Sequence, residues 1–128
     1  MAASLQPSSQ AVAPRVVIVD DDRVFRDAAR MLLEARGYDV VGEASTAASA
    51  LDAVERHEPE AVLLDICLGE DNGFTVCGAL RRARPELAIL LASVDDQAPE
   101  LVERCGARGF VRKSRLIQID FEEFWPRT

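Results

Sequence analysis

The chain has 128 residues, a formal net charge of −7 and 48% apolar residues. That is the size of one domain with one core, and the acidic balance argues against a nucleic-acid surface, where basic residues dominate. No apolar stretch approaches the roughly 20 residues of a membrane span, and the opening Met1-Ala2-Ala3-Ser4-Leu5 has neither the basic nor the apolar block of a secretory signal.

Residues 1–14, rich in Ala, Ser, Gln and Pro, read as a flexible N-terminal tail, with one domain over residues 15–128. A first strand over Arg15 to Val19 runs into Asp20-Asp21-Asp22. A helix follows from Val24 to Ala35, with Val24, Phe25, Ala28, Met31, Leu32 and Ala35 at helical spacing, and Gly37 ends it. Tyr38 to Ala44 alternates only in part and keeps polar residues, which suits an edge strand. Ser45 or Thr46 caps a second helix to about Arg56, and Pro59 marks its end. Ala61 to Leu64 is apolar throughout, as a strand covered on both faces should be, and it runs into Asp65.

A loop over residues 66–72 leads to a third helix from Gly73 to Ala83, and Leu87 to Ala92 is a fourth strand. Pro99 fits the first turn of a fourth helix that ends at Gly106. Gly109 to Arg112 is a fifth strand ending at Lys113. Asp120 and Glu123 have capping-box spacing for a last helix, which Pro126 cuts short.

Strands that alternate with helices imply a doubly wound parallel sheet with helices on both faces. Ligands of such sheets bind outside the carboxyl ends of the strands. Asp20, Asp65, Ser93 and Lys113 all fall at such ends. Lys113 is the single lysine against fourteen arginines, so its placement there stands out. Several carboxylates and one ammonium in one crevice make a site for a divalent cation and a phosphoryl group. Unpaired, the carboxylates raise one another's pKa, so metal binding should depend on pH.

These residues, in this order, resemble the receiver domain of two-component response regulators. The resemblance rests on Val-Asp-Asp-Asp at 19–22, Leu-Leu-Asp at 63–65 with Gly73-Phe74 downstream, Ala-Ser at 92–93 and Gly-Phe-Val-Arg-Lys at 109–113. It covers Arg15 to Trp125. It implies an α/β, flavodoxin-like fold with a five-stranded parallel sheet of order 2-1-3-4-5. It implies Asp65 as phosphoacceptor, Mg2+ held by Asp20, Asp21, Asp65 and the backbone carbonyl of Cys67, and Ser93 and Lys113 as the groups that contact the phosphoryl. Ser93 and Phe110 would form the switch, acting on a face built from helix four, strand five and helix five. The implied partners are a histidine kinase or phosphotransfer protein, a downstream protein and, on phosphorylation, a second copy of the chain. The chain would then be a stand-alone, cytoplasmic signalling domain and not an enzyme, without an output domain, nucleic acid or membrane.

Three departures from the family pattern stand out. Gly69 holds a position where proline is usual, which frees the loop after Asp65. Asn72-Gly73 replaces the usual Asp-Gly. Ser114 replaces a common proline, and the last helix is about two turns short, since fifteen residues follow Lys113. Near that end, Phe121, Phe124 and Trp125 are expected to fold back onto the sheet, the alternative being an aromatic patch for a partner. Asp22 reads as a helix cap, His57 and the Arg81, Arg82, Arg84 group as solvated helix ends. Cys67, Cys77 and Cys105, in no metal-like spacing, fit a reducing cytosol.

Two other functions compete. Asp20-x-Asp22 after an apolar strand resembles the nucleophile motif of haloacid-dehalogenase-type phosphatases, with Asp20 as nucleophile and Asp22 as acid/base. A receiver-like scaffold that works without phosphate is the other.

Overall fold

A computed structural model describes residues 13–125. Five strands, β1 (Arg15–Val19), β2 (Asp39–Ala44), β3 (Ala61–Asp65), β4 (Ala88–Ser93) and β5 (Gly109–Arg112), alternate with helices α1 (Arg23–Ala35), α2 (Ala47–His57), α3 (Gly73–Ala83) and α4 (Pro99–Arg104). The sheet is parallel, in the order β2-β1-β3-β4-β5. The expected topology and strand limits hold to within a residue or two. The expected tail lies outside the described residues up to residue 12; Pro14 is buried, and its carbonyl accepts from Asp39 N at 3.0 Å.

Strand side chains alternate between two apolar layers, as the two-residue period requires. Val17, Val19, Val62, Leu64, Ile89 and Leu91 face α2 and α3. Val16, Ile18, Ala61, Leu63, Ala88 and Leu90 face α1 and the C-terminal segment. Both faces of β3 are therefore covered, which accounts for its unbroken apolar run.

Helix ends follow local chemistry. Asp22 caps α1 by accepting from Val24 N at 3.0 Å, as its position suggested. Thr46 and Ser49 cap α2 reciprocally, and Asn72 caps α3. α4 ends earlier than expected, with Cys105 as cap and Gly106 left-handed at φ 87°. His57 is half-buried and not merely solvated, because its ring packs on Gly42, where a Cβ would stand 2.7 Å from Cδ2.

The expected last α-helix is absent among the described residues. Two 3-10 turns, Lys113–Gln118 and Phe121–Glu123, stand in its place. Asp120 makes a local turn, its carboxylate accepting from Glu122 N at 3.0 Å, and does not form the capping box. The tertiary reason is aromatic. Phe121 and Trp125 are each 1% exposed and stack at 5.0 Å, with Tyr38 edge-on to both. Arg36 lies over the Phe121 ring and donates to the carbonyls of Ile117 and Ile119. The aromatics fold back as expected, and the helix 4–strand 5–helix 5 face has no fifth helix among these residues.

Candidate functional site

Asp20 follows β1 and is fully buried. Its N–H donates to Ala44 O at 3.0 Å, and its Oδ1 accepts from Asp22 N at 2.8 Å. Arg26, one turn into α1, donates from Nη1 to Asp20 O at 2.8 Å. The Arg26 Nε meets Glu43 at 2.9 Å, and Arg30 Nε meets the other Glu43 oxygen at 2.8 Å. Burial alone would lift the Glu43 carboxyl, but hydrogen bonds from Arg30 and then Arg26 hold it below the usual carboxylate range. This brace fixes the start of α1, and with it the acidic run, against β2.

Asp65 ends β3 and is 5% exposed. Its loop turns back at once: Ile66 N donates to Ala92 O at 3.0 Å, and Gly73 N to Ile66 O at 2.7 Å. Gly73 has no room for a side chain, since a Cβ would stand 2.6 Å from Asp65 O. Between them, Cys67–Leu68 and Asp71–Asn72 pair as a small antiparallel ladder. Gly69 closes it at φ 63°, a conformation that proline, locked near −65°, never adopts.

Lys113 leaves β5 and reaches across. Its Nζ stands 2.7 Å from Asp20 Oδ2 and 3.5 Å from Asp65 Oδ2. Beyond this ion pair, Asp20 Oδ2 has no hydrogen-bond donor among the described residues. The ammonium also sits over the Phe25 ring, 4.3 Å from its centre. Burial pushes the Asp65 carboxyl up to about 6, and the charge of Asp20 pushes the same way; Lys113 and the Cys67 N–H oppose them. Burial works against the charge of Lys113, yet Asp20 and then Asp65 prevail and raise its pKa.

Ser93 ends β4 and is 4% exposed. Its Oγ accepts from Asp95 N at 3.3 Å and from the Gln97 amide at 3.5 Å. Asp21, Asp65, Cys67, Gly69, Ser93 and Lys113 line one open crevice of about 530 Å³. Phe110 does not reach it. That side chain is half-buried and borders a separate groove with Pro99, Val102 and Ala107.

Carboxylate oxygens of Asp20, Asp21 and Asp65 lie within 4.8 Å of one another, close enough for one ion. The donors are all hard oxygens, and one Asp20 oxygen is buried with only Lys113 beside it. This donor set fits a small divalent cation such as Mg2+. The Cys67 thiol is exposed and Cys67 lines the same crevice.

Phe25 and Arg26 also serve the site, and no motif marks either of them. In the sequence Phe25 reads only as an apolar helix position. Its one distinguishing signal is its place in the first turn of the helix that follows the acidic run.

The phosphatase alternative finds no support in this arrangement. Asp20, its nucleophile, is fully buried and held on both oxygens, while Asp22 is engaged as a cap.

A doubly wound sheet with an acidic, lysine-bridged crevice at its carboxyl edge defines the class. The family model for the response regulator receiver domain matches residues 16–119. The chain belongs to the response regulator receiver domain family. It is 36% identical over 84 residues to the sensory transduction protein LytT of Bacillus anthracis, covering 65% of this chain and 34% of that protein. It is 29% identical to the chemotaxis protein CheY of Bacillus subtilis, covering 80% of this chain and 87% of that one. Among solved structures, the signal receiver domain of the putative response regulator NarL from Mycobacterium tuberculosis matches with a TM-score of 0.70 and 33% identity, covering 87% of this chain and 89% of that one. The chain spans 34% to 49% of the length of its first three curated relatives. Among the described residues, no helix is long and apolar enough to cross a membrane.

Proposed function

We propose that Asp65 accepts a phosphoryl group from a histidine kinase or phosphotransfer protein, with Mg2+ held by Asp20, Asp21, Asp65 and the Cys67 carbonyl. One observation carries this reading: Lys113 bridges Asp20 and Asp65 at 2.7 and 3.5 Å inside a crevice that Ser93 also lines. Acids and a fixed ammonium from three strand ends form a preorganised seat for a phosphoryl group.

At neutral pH Asp65 is mostly ionised, given its pKa of about 6. A carboxylate oxygen attacks phosphorus, the P–N bond to the donor imidazole breaks, and an acyl phosphate forms on Asp65. Bound Mg2+ supplies charge neutralisation for the transferring oxygens. Lys113 adds a point charge beside the same oxygens. Asp20 orients Lys113, and the Arg26 brace keeps Asp20 in place. The chain is labelled once per transfer and does not turn over a substrate, which makes it a switch and not an enzyme.

The Ser93 hydroxyl then leaves the Asp95–Gln97 loop for a phosphoryl oxygen. The loop shift passes to Phe110 and to the α4–β5 groove, which favours a downstream protein or a second copy of the chain. With no fifth helix described, that surface is narrower than the family pattern implies. A cytoplasmic placement goes with an intracellular kinase and three free thiols.

The test is intact mass after incubation with Mg2+ and a small acyl-phosphate donor. One phosphoryl on the natural chain, and none on Asp65→Asn or without Mg2+, is expected. No adduct on a folded natural chain would return the phosphate-independent scaffold. An adduct that survives Asp65→Asn would return Asp20 as nucleophile.

A further inference from the structure

A pair of free cysteines lies away from the acidic crevice, where α3 meets the end of α4. Cys77, fully buried in the middle of α3, points its thiol at Cys105, the residue that caps α4. Cys77 Sγ donates to the Cys105 carbonyl at 3.4 Å, which sets the two residues against each other across the seam. Cys105 Sγ turns back to Val102 O at 3.2 Å. The third cysteine, Cys67, is exposed in the acidic crevice.

A cation stands by. Arg81, one turn after Cys77, packs on Gly106, where a Cβ would lie 3.0 Å from its Nε. That Nε is buried and has no hydrogen-bond acceptor among the described residues. A buried donor without an acceptor is costly, and a thiolate on this seam would supply one. Electropositive, partly exposed surroundings are what make a thiol reactive.

We propose that Cys77 and Cys105 form a reversible disulfide, so that the α3–α4 seam is a modification site for hydroperoxides. Cys105, half-exposed, is the attacking thiol. Its thiolate takes the terminal oxygen of the hydroperoxide, giving a sulfenic acid and releasing hydroxide, or alkoxide from an organic peroxide. Cys77 then attacks that sulfur and expels water, so two thiols and one hydrogen peroxide give one disulfide and two waters. Burial, then the Cys105 thiol, lift the Cys77 thiol above its ordinary value while Arg81 opposes them, which keeps Cys77 from the first step; in the second step its proton leaves with the expelled hydroxyl as water.

The bond has a mechanical effect because α4 is weakly held. It has six residues, none buried, and no side-chain cap at its N-terminus. A disulfide would pin its far end to the core layer that also carries Phe110. This site stands whether or not Asp65 is phosphorylated.

The test exposes the reduced natural chain to hydrogen peroxide, alkylates the remaining thiols after unfolding, and reads the mass. Cys67 and Cys77 share the peptide between Arg56 and Arg81, so Cys67→Ser is run beside it to place the link. Expected are the loss of two hydrogens, one alkylated thiol in the natural chain and none in Cys67→Ser, a linked peptide holding Cys77 and Cys105, and full reversal by dithiothreitol. Cys105→Ser should lose no hydrogens and leave Cys77 open to alkylation. Three alkylated thiols after peroxide, a link through Cys67, or oxygen added to Cys105 without a link would each overturn the proposal.

Discussion

Phe25 forms a platform for Lys113, whose ammonium rests 4.3 Å from the ring centre while it faces Asp20 and Asp65. The ring leaves the ammonium one side on which to find anions, and that side holds the two acids. Such a contact is worth about 0.5–2 kcal/mol. Replacing Phe25 by leucine should slow labelling by acyl phosphate by about 2- to 30-fold on that energy, whereas tyrosine should restore most of the rate. Stopped-flow or timed mass measurements would check this. Equal rates for all three chains would remove Phe25 from the site.

Lys113→Arg should also fail to substitute. A planar guanidinium demands more room than the point charge that Lys113 places between two carboxylates. The expected outcome is a folded chain with labelling reduced at least tenfold, about 1.4 kcal/mol in the barrier. Circular dichroism would establish the fold and intact mass the rate.

The raised Asp65 pKa has a definite sign. Folded Asp65 titrates near 6 against 3.8 for the ordinary group, so the folded state binds more protons between those values. Stability of the metal-free chain therefore falls as pH rises through that window, and Asp65→Asn should remove the slope. At pH 7 the variant should be more stable by about 1–3 kcal/mol. Mg2+ competes with the same proton, so its affinity should weaken as pH drops below about 6. Urea unfolding at several pH values and calorimetric titration with Mg2+ would read the two effects.

The aromatic stack predicts a stability loss without a site effect. Trp125→Ala or Phe121→Ala should each cost about 3–5 kcal/mol, and the double variant less than the sum, because each ring packs on the other. Denaturant unfolding would measure it. Trp125, the sole tryptophan, should emit at short wavelength and shift to the red on unfolding. A red-shifted native spectrum would contradict its burial.

Much of the site was legible because a strand covered on both faces must be apolar to its end. Asp20, Asp65 and Lys113 interrupt such runs, and the sheet brings the ends of β1, β3 and β5 to one edge. The true form of the last segment is not legible, for the opposite reason. Asp120 and Glu123 carry a local cap signal, whereas the structure there is decided by contacts distant in sequence: Phe121 and Trp125 on Tyr38, and Arg36 on the carbonyls of Ile117 and Ile119. The support of Asp20 by Arg26 and Glu43 has no motif at all, because a guanidinium can reach a backbone carbonyl from many positions. Gly109 is a similar case. Its need for glycine comes from the Phe124 ring, which occupies the space a Cβ would fill.

Because Lys113 is the only lysine, its side chain 17% exposed, it is the one side-chain amine that acylation can reach. An acylating reagent at limiting dose thus becomes a footprint of the crevice. Modification at residue 113 would report how often the ammonium lets go of its two acids, and any occupant that draws it inward should deepen the protection.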